Sequence, residues 1–360
     1  MKIFVLGTRG IPNILGGVET HCEELYPRIS KLGHDVTVIT RTPYVIDKNL
    51  ILYKGVKLKH IYAPKQKSIE AIIHTFLGVL YAGVKRPDVL HIHAVGPMIM
   101  TPLARVLGLK VIVTNHGPDY ERQKWGKSAK SILKIGEFLG TKFANEVIVI
   151  SKVINSILLK KYNRKDCHLI YNGVNFPVIA KKDDYIKNLN LEKDNYFIAV
   201  GRFVEEKGFT DLIKAFSKIK TNFKLVLVGD ADHETDYSRN LKEAAVKAGV
   251  VLTGFIKGEK LNQIFSHARL FVMTSYHEGL PISLLEAMSY NLEVLVSNIP
   301  ANLEIELEKE AYFEVGNTKK LSLKLSRLLK SSKQKKDFSK KIDKDYNWDK
   351  IALELLKVYN

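Results

Sequence analysis

The chain has 360 residues, enough for two domains of ordinary size, and 46% hydrophobic with 26% charged residues is a globular composition, not a disordered or fibrous one. Two cysteines, Cys22 and Cys167, cannot by themselves build a disulfide framework or a four-ligand zinc centre. The opening run MKIFVLGTRG breaks at Gly7 and Arg9, short of a secretion signal or a membrane span, so a reducing, cytoplasmic setting is expected. The net charge of +18 is uneven, with 26 Lys/Arg against 12 Asp/Glu in residues 1–180 and 30 against 26 in residues 181–360. Such an excess on one half suits a polyanion, either nucleic acid or an anionic membrane face, or serves solubility alone.

Short apolar runs alternate with amphipathic stretches, which predicts an α/β chain with parallel sheets. Strands are expected at Ile3–Leu6, Asp35–Thr40, Val89–His93, Lys110–Thr114, Val147–Ile150 and His168–Tyr171. Between the first two, Val18, Cys22, Leu25, Ile29 and Leu32 follow helical spacing. After the polar stretch KKDDYIKNLNLEKDN the pattern restarts, with strands expected at Tyr196–Val200, Lys224–Val228, Val251–Thr253, Leu270–Met273 and Glu293–Val296. Two Rossmann-like, doubly wound domains facing a cleft are therefore predicted, over residues 1–172 and 173–345, with residues 346–360 as a closing helix that packs back on the first. Ligand is expected where strand C-termini face that cleft.

Three loops carry chemistry. GTRGIPNILGGVET (7–20) leaves a strand and enters a helix, and Gly16 and Gly17 bare the helix N-terminus, so backbone N–H groups can meet an anion or simply form a tight turn. VGRFVEEKGFTDLIKAF (200–216) places Arg202 and Lys207 ahead of a helix, a planar fork and a mobile point charge that could clamp a diphosphate or pair with Glu205 and Glu206. SYHEGLPISLLEAMSYN (275–291) puts Glu278 in a loop after a strand and Glu286 in the helix that follows. A carboxylate flanked by Leu284, Leu285 and Ala287 is costly unless it accepts hydrogen bonds, for example from a sugar diol.

Taken in order, GTRGIPNILGGVET, NHG (115–117), VISK (149–152), YNGVN (171–175), GRFVEEKG (201–208), LVGDAD (227–232), LTGF (252–255) and EGLPISLLEAM (278–288) resemble the retaining family-4 glycosyltransferases of the GT-B type. The two glutamates with seven residues between them are the most specific of these features. GTRGIP with GGVET, and HGPDYERQKWGKSAK (116–130), look like the rhamnosyltransferase-like subgroup of bacterial surface-polysaccharide assembly.

The resemblance implies transfer of a hexosyl-type sugar from a nucleoside-diphosphate sugar to a hydroxyl of a lipid-linked glycan, in O-antigen, capsule or exopolysaccharide synthesis. Arg202 and Lys207 match the diphosphate-binding pair, and Gly16 and Gly17 the loop touching the distal phosphate. Glu278 matches the glutamate that approaches the donor sugar and Glu286 the one binding the ribose. Leu280, Pro281 and Ile282 lie where backbone amides can meet phosphate, and His116 lies near the sugar's hydroxymethyl side. Transfer is expected to need no metal or cofactor, with Asp230-Ala231-Asp232 read as structural, and the acceptor hydroxyl deprotonated largely by the leaving phosphate.

The expected acceptor is a polyprenyl-diphosphate-linked glycan. In residues 122–142, Lys127, Lys130 and Lys134 share a helical stripe with Trp125, Ile132, Leu133, Ile135, Phe138 and Leu139 as apolar surface, which predicts peripheral association with an anionic membrane, or an ordinary core helix with a solvated lysine face. Nucleic acid is not expected, since no recognition motif accompanies the charge. A sugar-nucleotide epimerase on the same scaffold and a non-catalytic glycan-binding scaffold are the rival readings. Where many members of the family have Gly and Pro after the second glutamate helix, this chain has Asn291, Leu292 and Glu293, and Asn291 is expected to take the left-handed cap that glycine would supply.

Overall fold

The computed structural model describes all residues except 67–68, 122–125, 232–233 and 335. The chain divides into two compact units, residues 1–173 with 347–360, and residues 174–346. In the first, strands β1 (Lys2–Leu6), β2 (Asp35–Arg41), β3 (Leu52–Tyr53), β4 (Val56–Ile61), β5 (Val89–His93), β6 (Val111–Asn115), β7 (Glu146–Val149) and β8 (His168–Leu169) form one sheet, ordered β3-β4-β2-β1-β5-β6-β7-β8. The helices between them are α1 (Gly17–Lys31), α2 (Glu70–Lys85), α3 (Thr101–Val106), α4 (Lys127–Phe143) and α5 (Lys152–Tyr162). Among the described residues only β3 with β4 is antiparallel in this sheet, and the central strands β1, β5 and β6 are buried because both sheet faces are covered, with His91 and His93 interrupting the apolar run of β5.

The second unit holds β9 (Tyr196–Val200), β10 (Lys224–Val228), β11 (Val251–Leu252), β12 (Leu270–Met273), β13 (Glu293–Ser297) and β14 (Tyr312–Phe313), all parallel, ordered β11-β10-β9-β12-β13-β14. Its helices are α6 (Asp184–Asn188), α7 (Phe209–Phe216), α8 (Asp236–Lys247), α9 (Gly258–Ser266), α10 (Ile282–Ser289), α11 (Pro300–Leu303), α12 (Thr318–Lys330) and α13 (Ser339–Asp345). This is the 3-2-1-4-5-6 order of a doubly wound sheet. The last helix, α14 (Trp348–Tyr359), belongs to the first unit, where Trp348, Ile351, Ala352, Leu355 and Tyr359 share a core with Cys22, Leu25, Tyr26 and Ile29 of α1.

The sequence reading omits β3, β4 and β14. β4 is VKLKHI, whose Lys57 and Lys59 are exposed one strand in from the sheet edge, so its pattern is half polar; β14 is only two residues long. α10 ends as expected. Asn291 takes φ +54, its N–H donates to the Met288 carbonyl at 2.9 Å, and its side-chain oxygen accepts the Phe338 N–H at 2.9 Å. Asn291→Gly should stay within about 1 kcal/mol of wild type, as a better fit to the backbone offsets one lost exposed hydrogen bond. Asn291→Val should cost about 2 kcal/mol, because a β-branched side chain resists positive φ. Urea unfolding of the two variants checks this.

Candidate functional site

In the second unit the direction of strand succession reverses between β9 and β12, and a doubly wound sheet binds ligands outside the C-termini at such a point. Two loops leave the sheet there, residues 201–208 and 274–281. Lys207 Nζ donates to Glu278 Oε1 at 2.6 Å, and the Ser275 hydroxyl donates to the same oxygen at 2.7 Å. The Lys207 and Glu278 side chains are 19% and 12% exposed, so the pair sits in a partly desolvated setting where its charges are strong.

The loops are stitched together. Thr274 Oγ1 donates to the Lys207 carbonyl at 2.9 Å, and the Tyr276 N–H to the Glu206 carbonyl at 2.8 Å. Gly208 has φ +65 and lies so close to the second loop that a Cβ there would sit 2.4 Å from the Thr274 carbonyl oxygen. The Lys207 alkyl chain lies over Gly201, whose own Cβ would be 3.3 Å from Lys207 Cδ and Cε. Arg202, half-buried, follows on the same loop. Behind Glu278, the Ser297 hydroxyl at the end of β13 donates to the Ser275 carbonyl at 2.6 Å, and Asn302 Nδ2 donates to the Ser297 carbonyl at 2.9 Å. Ser275, Ser297 and Asn302 escape sequence reasoning because the tie joins residues 22 positions apart.

Leu280 is buried and Pro281 opens α10, which no side chain caps among the described residues. Two expectations are corrected here, one by the chemistry of proline and one by the structure. Pro281 has no N–H, so only its neighbours, Leu280 and the first turn from Ile282, can offer amides to an anion. Glu286 is half-buried while Leu284, Leu285, Ala287 and Met288 are buried, so the cost of burial does not by itself demand a ligand. Asp230 accepts the Ala231 N–H at 2.8 Å and pairs with Lys242 at 2.7 Å; Asp232 lies outside the described residues.

In the first unit α1 starts at Gly17. A Cβ on Gly16 would sit 2.0 Å from Glu19 Oε2 and 2.7 Å from Arg9 Nη2. Glu19, buried in the first turn, accepts the Arg9 backbone N–H at 3.0 Å and Arg9 Nε at 3.2 Å. Burial pushes the Glu19 carboxyl up, but the Arg9 guanidinium and its hydrogen bonds outweigh that and hold it below its usual range. The helix start is therefore shaped by an internal ion pair, with no side chain capping it among the described residues.

His116 follows β6 and is partly exposed. Its Nε2 lies 2.9 Å from His93 Nδ1, the Tyr26 hydroxyl meets His93 Nε2 at 2.5 Å and His91 Nδ1 at 3.0 Å, and His91 Nδ1 also meets the Tyr359 hydroxyl at 2.6 Å. A hydrogen-bonded chain thus runs from α14 through the core to His116. Burial lowers each imidazole, His91 to about 3 and His93 and His116 well below the ordinary value, so all three are neutral at pH 7. The Asn115 side chain accepts the Gly117 N–H at 2.8 Å and donates to buried Glu137 of α4, which also accepts from the Tyr120 and Tyr162 hydroxyls at 3.0 and 2.8 Å. This fixes the loop that carries His116.

A sheet of the doubly wound type in each unit, with a basic and an acidic side chain joined at the second unit's switch point, is a known enzyme architecture. Residues 15–176 match the model of Glycosyltransferase Family 4, and residues 181–345 match that of Glycosyl transferases group 1. The two matches take in nearly the whole chain, which belongs to the glycosyltransferases that pair these domains in the GT-B fold. It is 27% identical to an uncharacterised glycosyltransferase of Methanocaldococcus jannaschii over all of this chain and 98% of that one. It is 28% identical to the Staphylococcus aureus capsular polysaccharide biosynthesis glycosyltransferase CapH, over 64% of this chain and 65% of that one. A Campylobacter jejuni N,N'-diacetylbacillosaminyl-diphospho-undecaprenol alpha-1,3-N-acetylgalactosaminyltransferase is 27% identical over 62% of each. Two solved structures share the fold with TM-scores of 0.81: sucrose-phosphate synthase of Thermosynechococcus elongatus, 21% identical over 99% of this chain and 98% of that one, and Anabaena HepE bound to UDP and glucose, 16% identical over 99% of each.

Proposed function

We propose that the chain is a retaining, metal-independent hexosyltransferase of the rhamnosyltransferase-like subgroup, which passes a sugar from a nucleoside diphosphate to a hydroxyl of a polyprenyl-diphosphate-linked glycan in bacterial surface-polysaccharide assembly. The Lys207–Glu278 pair at the switch point of the second unit carries this reading. Charge develops on the leaving diphosphate as the sugar becomes oxocarbenium-like, and a preorganised cation stabilises it without reorganisation cost at the moment of reaction. Arg202 and Lys207 take the diphosphate, the amides of Leu280 and the first turn of α10 take its oxygens, Glu286 accepts from the ribose, and Glu278 orients the donor sugar. In the first unit, Gly16 and Gly17 offer amides to the distal phosphate and neutral His116 hydrogen-bonds the sugar.

The lipid-linked acceptor in the name of the Campylobacter relative and the UDP bound by HepE support the substrate classes. Melting the protein with UDP, GDP, dTDP and ADP in turn tests the donor site, since a ligand of the native state raises stability by mass action. One of the four should raise the melting temperature by several degrees; a flat response to all four defeats the reading.

The acceptor's lipid places the enzyme on a membrane face. No helix among the described residues is long and apolar enough to cross a membrane. α4 suits surface docking: it turns Gly136, Glu137, Gly140 and Thr141 inward and leaves Ile132, Ile135 and Phe138 exposed beside Lys127 and Lys134. Arg122 and Trp125 lie outside the described residues. In flotation with phosphatidylglycerol vesicles at low salt the protein should rise with the lipid, and Ile132→Asp with Ile135→Asp should weaken binding about tenfold or more. Failure of the wild type to float removes the membrane part of the proposal.

A further inference from the structure

We infer a zinc-binding site in the first unit formed by His21 of α1, His93 at the end of β5 and His116 after β6. One ligand nitrogen from each lies within 4.8 Å of the other two. Two of the three distal nitrogens are already held, His21 Nδ1 at 2.8 Å from Asn172 Oδ1 and His93 Nε2 by the Tyr26 hydroxyl, while the facing nitrogens His93 Nδ1 and His116 Nε2 share a hydrogen bond at 2.9 Å that an ion would replace. A partner on the distal nitrogen is what orients a metal-binding histidine and fixes its tautomer. It directs the Nε2 lone pair of His21 and Nδ1 of His93 toward the space they share with Nε2 of His116.

The protons balance. His21 carries its proton on Nδ1, donated to Asn172; His93 carries its own on Nε2, donated to the Tyr26 oxygen; His116 moves its proton to Nδ1. Three neutral imidazoles then present three lone pairs with no net proton lost.

The donor set chooses the ion. Nitrogen ligands without a carboxylate favour Zn²⁺ over Mg²⁺ and Ca²⁺, which demand oxygen, and three of them leave a fourth position for water. His116 is shared with the function proposed above, which sets it against the donor sugar, so an ion here bears on that contact. An ion there would occupy the Nε2 lone pair of His116; that consequence rests on the proposed function, whereas the site does not.

The test uses the full chain, stripped with EDTA and titrated with ZnCl₂. The wild type should retain one Zn²⁺ per chain after desalting and melt at a higher temperature with Zn²⁺ but not with Mg²⁺. His21→Gln and His93→Gln should each weaken retention tenfold or more, while His168→Gln, at a solvent-accessible histidine paired with Glu146, should retain the ion. Independently of any variant's folding, Co²⁺ in the wild type should give the intense visible bands of a tetrahedral nitrogen site. No retained Zn²⁺, an octahedral Co²⁺ spectrum, or equal retention in folded His21→Gln and His93→Gln overturns the site.

Discussion

Lys207→Met should abolish most of the thermal stabilisation that the cognate nucleoside diphosphate gives the wild type, and should lower turnover about 100- to 1,000-fold once the matching sugar nucleotide is supplied. The side chain is 19% exposed and its Nζ is 2.6 Å from Glu278 Oε1, so it already stands in a partly desolvated position where a charge-assisted bond to phosphate contributes roughly 1.5–3 kcal/mol. Without ligand the variant should stay folded. Glu278 loses one donor but keeps the Ser275 hydroxyl, and the alkyl chain of methionine still covers Gly201. The unliganded melting temperature should therefore fall by only a few degrees. Glu278→Gln separates the two roles. It keeps the shape and the Ser275 contact, removes the negative charge competing for Lys207, and should preserve or tighten nucleoside diphosphate binding while turnover falls. A Lys207→Met protein that still responds fully to the nucleotide would show that the clamp lies elsewhere.

The sequence makes the sheets legible where both faces are covered, because β1, β9, β10 and β12 then have continuous apolar runs; β4 departs from that pattern, and the alternation of Lys57 and Lys59 with Val56 and Leu58 is the period-two signal that marks it. The loops are legible for the same local reason: Arg202, Lys207 and Glu278 sit just after strands, where chemistry concentrates in this architecture. What supports them is not local. His91 and Tyr359 meet across 268 positions, and Ser297 reaches Ser275 across 22; no spacing rule marks such pairs. Glu286 illustrates the converse: its apolar neighbours in sequence are buried while it is only half-buried, so composition around a residue overstates its burial.

Gly208→Ala should be strongly disruptive for a single added methyl. Alanine in the left-handed region costs about 1 kcal/mol, and here its Cβ would also press to 2.4 Å from the Thr274 carbonyl oxygen. That oxygen belongs to backbone, so it cannot rotate away. The two loops must part, at a further cost of about 1–3 kcal/mol by analogy with overpacked sites. Parting stretches the Thr274 bond to the Lys207 carbonyl and carries Lys207 away from Glu278, so nucleotide binding should weaken along with stability. Gly249→Ala isolates the first contribution, because Gly249 has φ +68 and nothing within 4 Å of the added carbon. It should lose about 1 kcal/mol and leave the nucleotide response intact. Calorimetric scans of both variants with and without the nucleotide decide the matter. Equal losses in the two would mean that the close approach of the loops contributes nothing, and that Lys207 holds its place without Gly208.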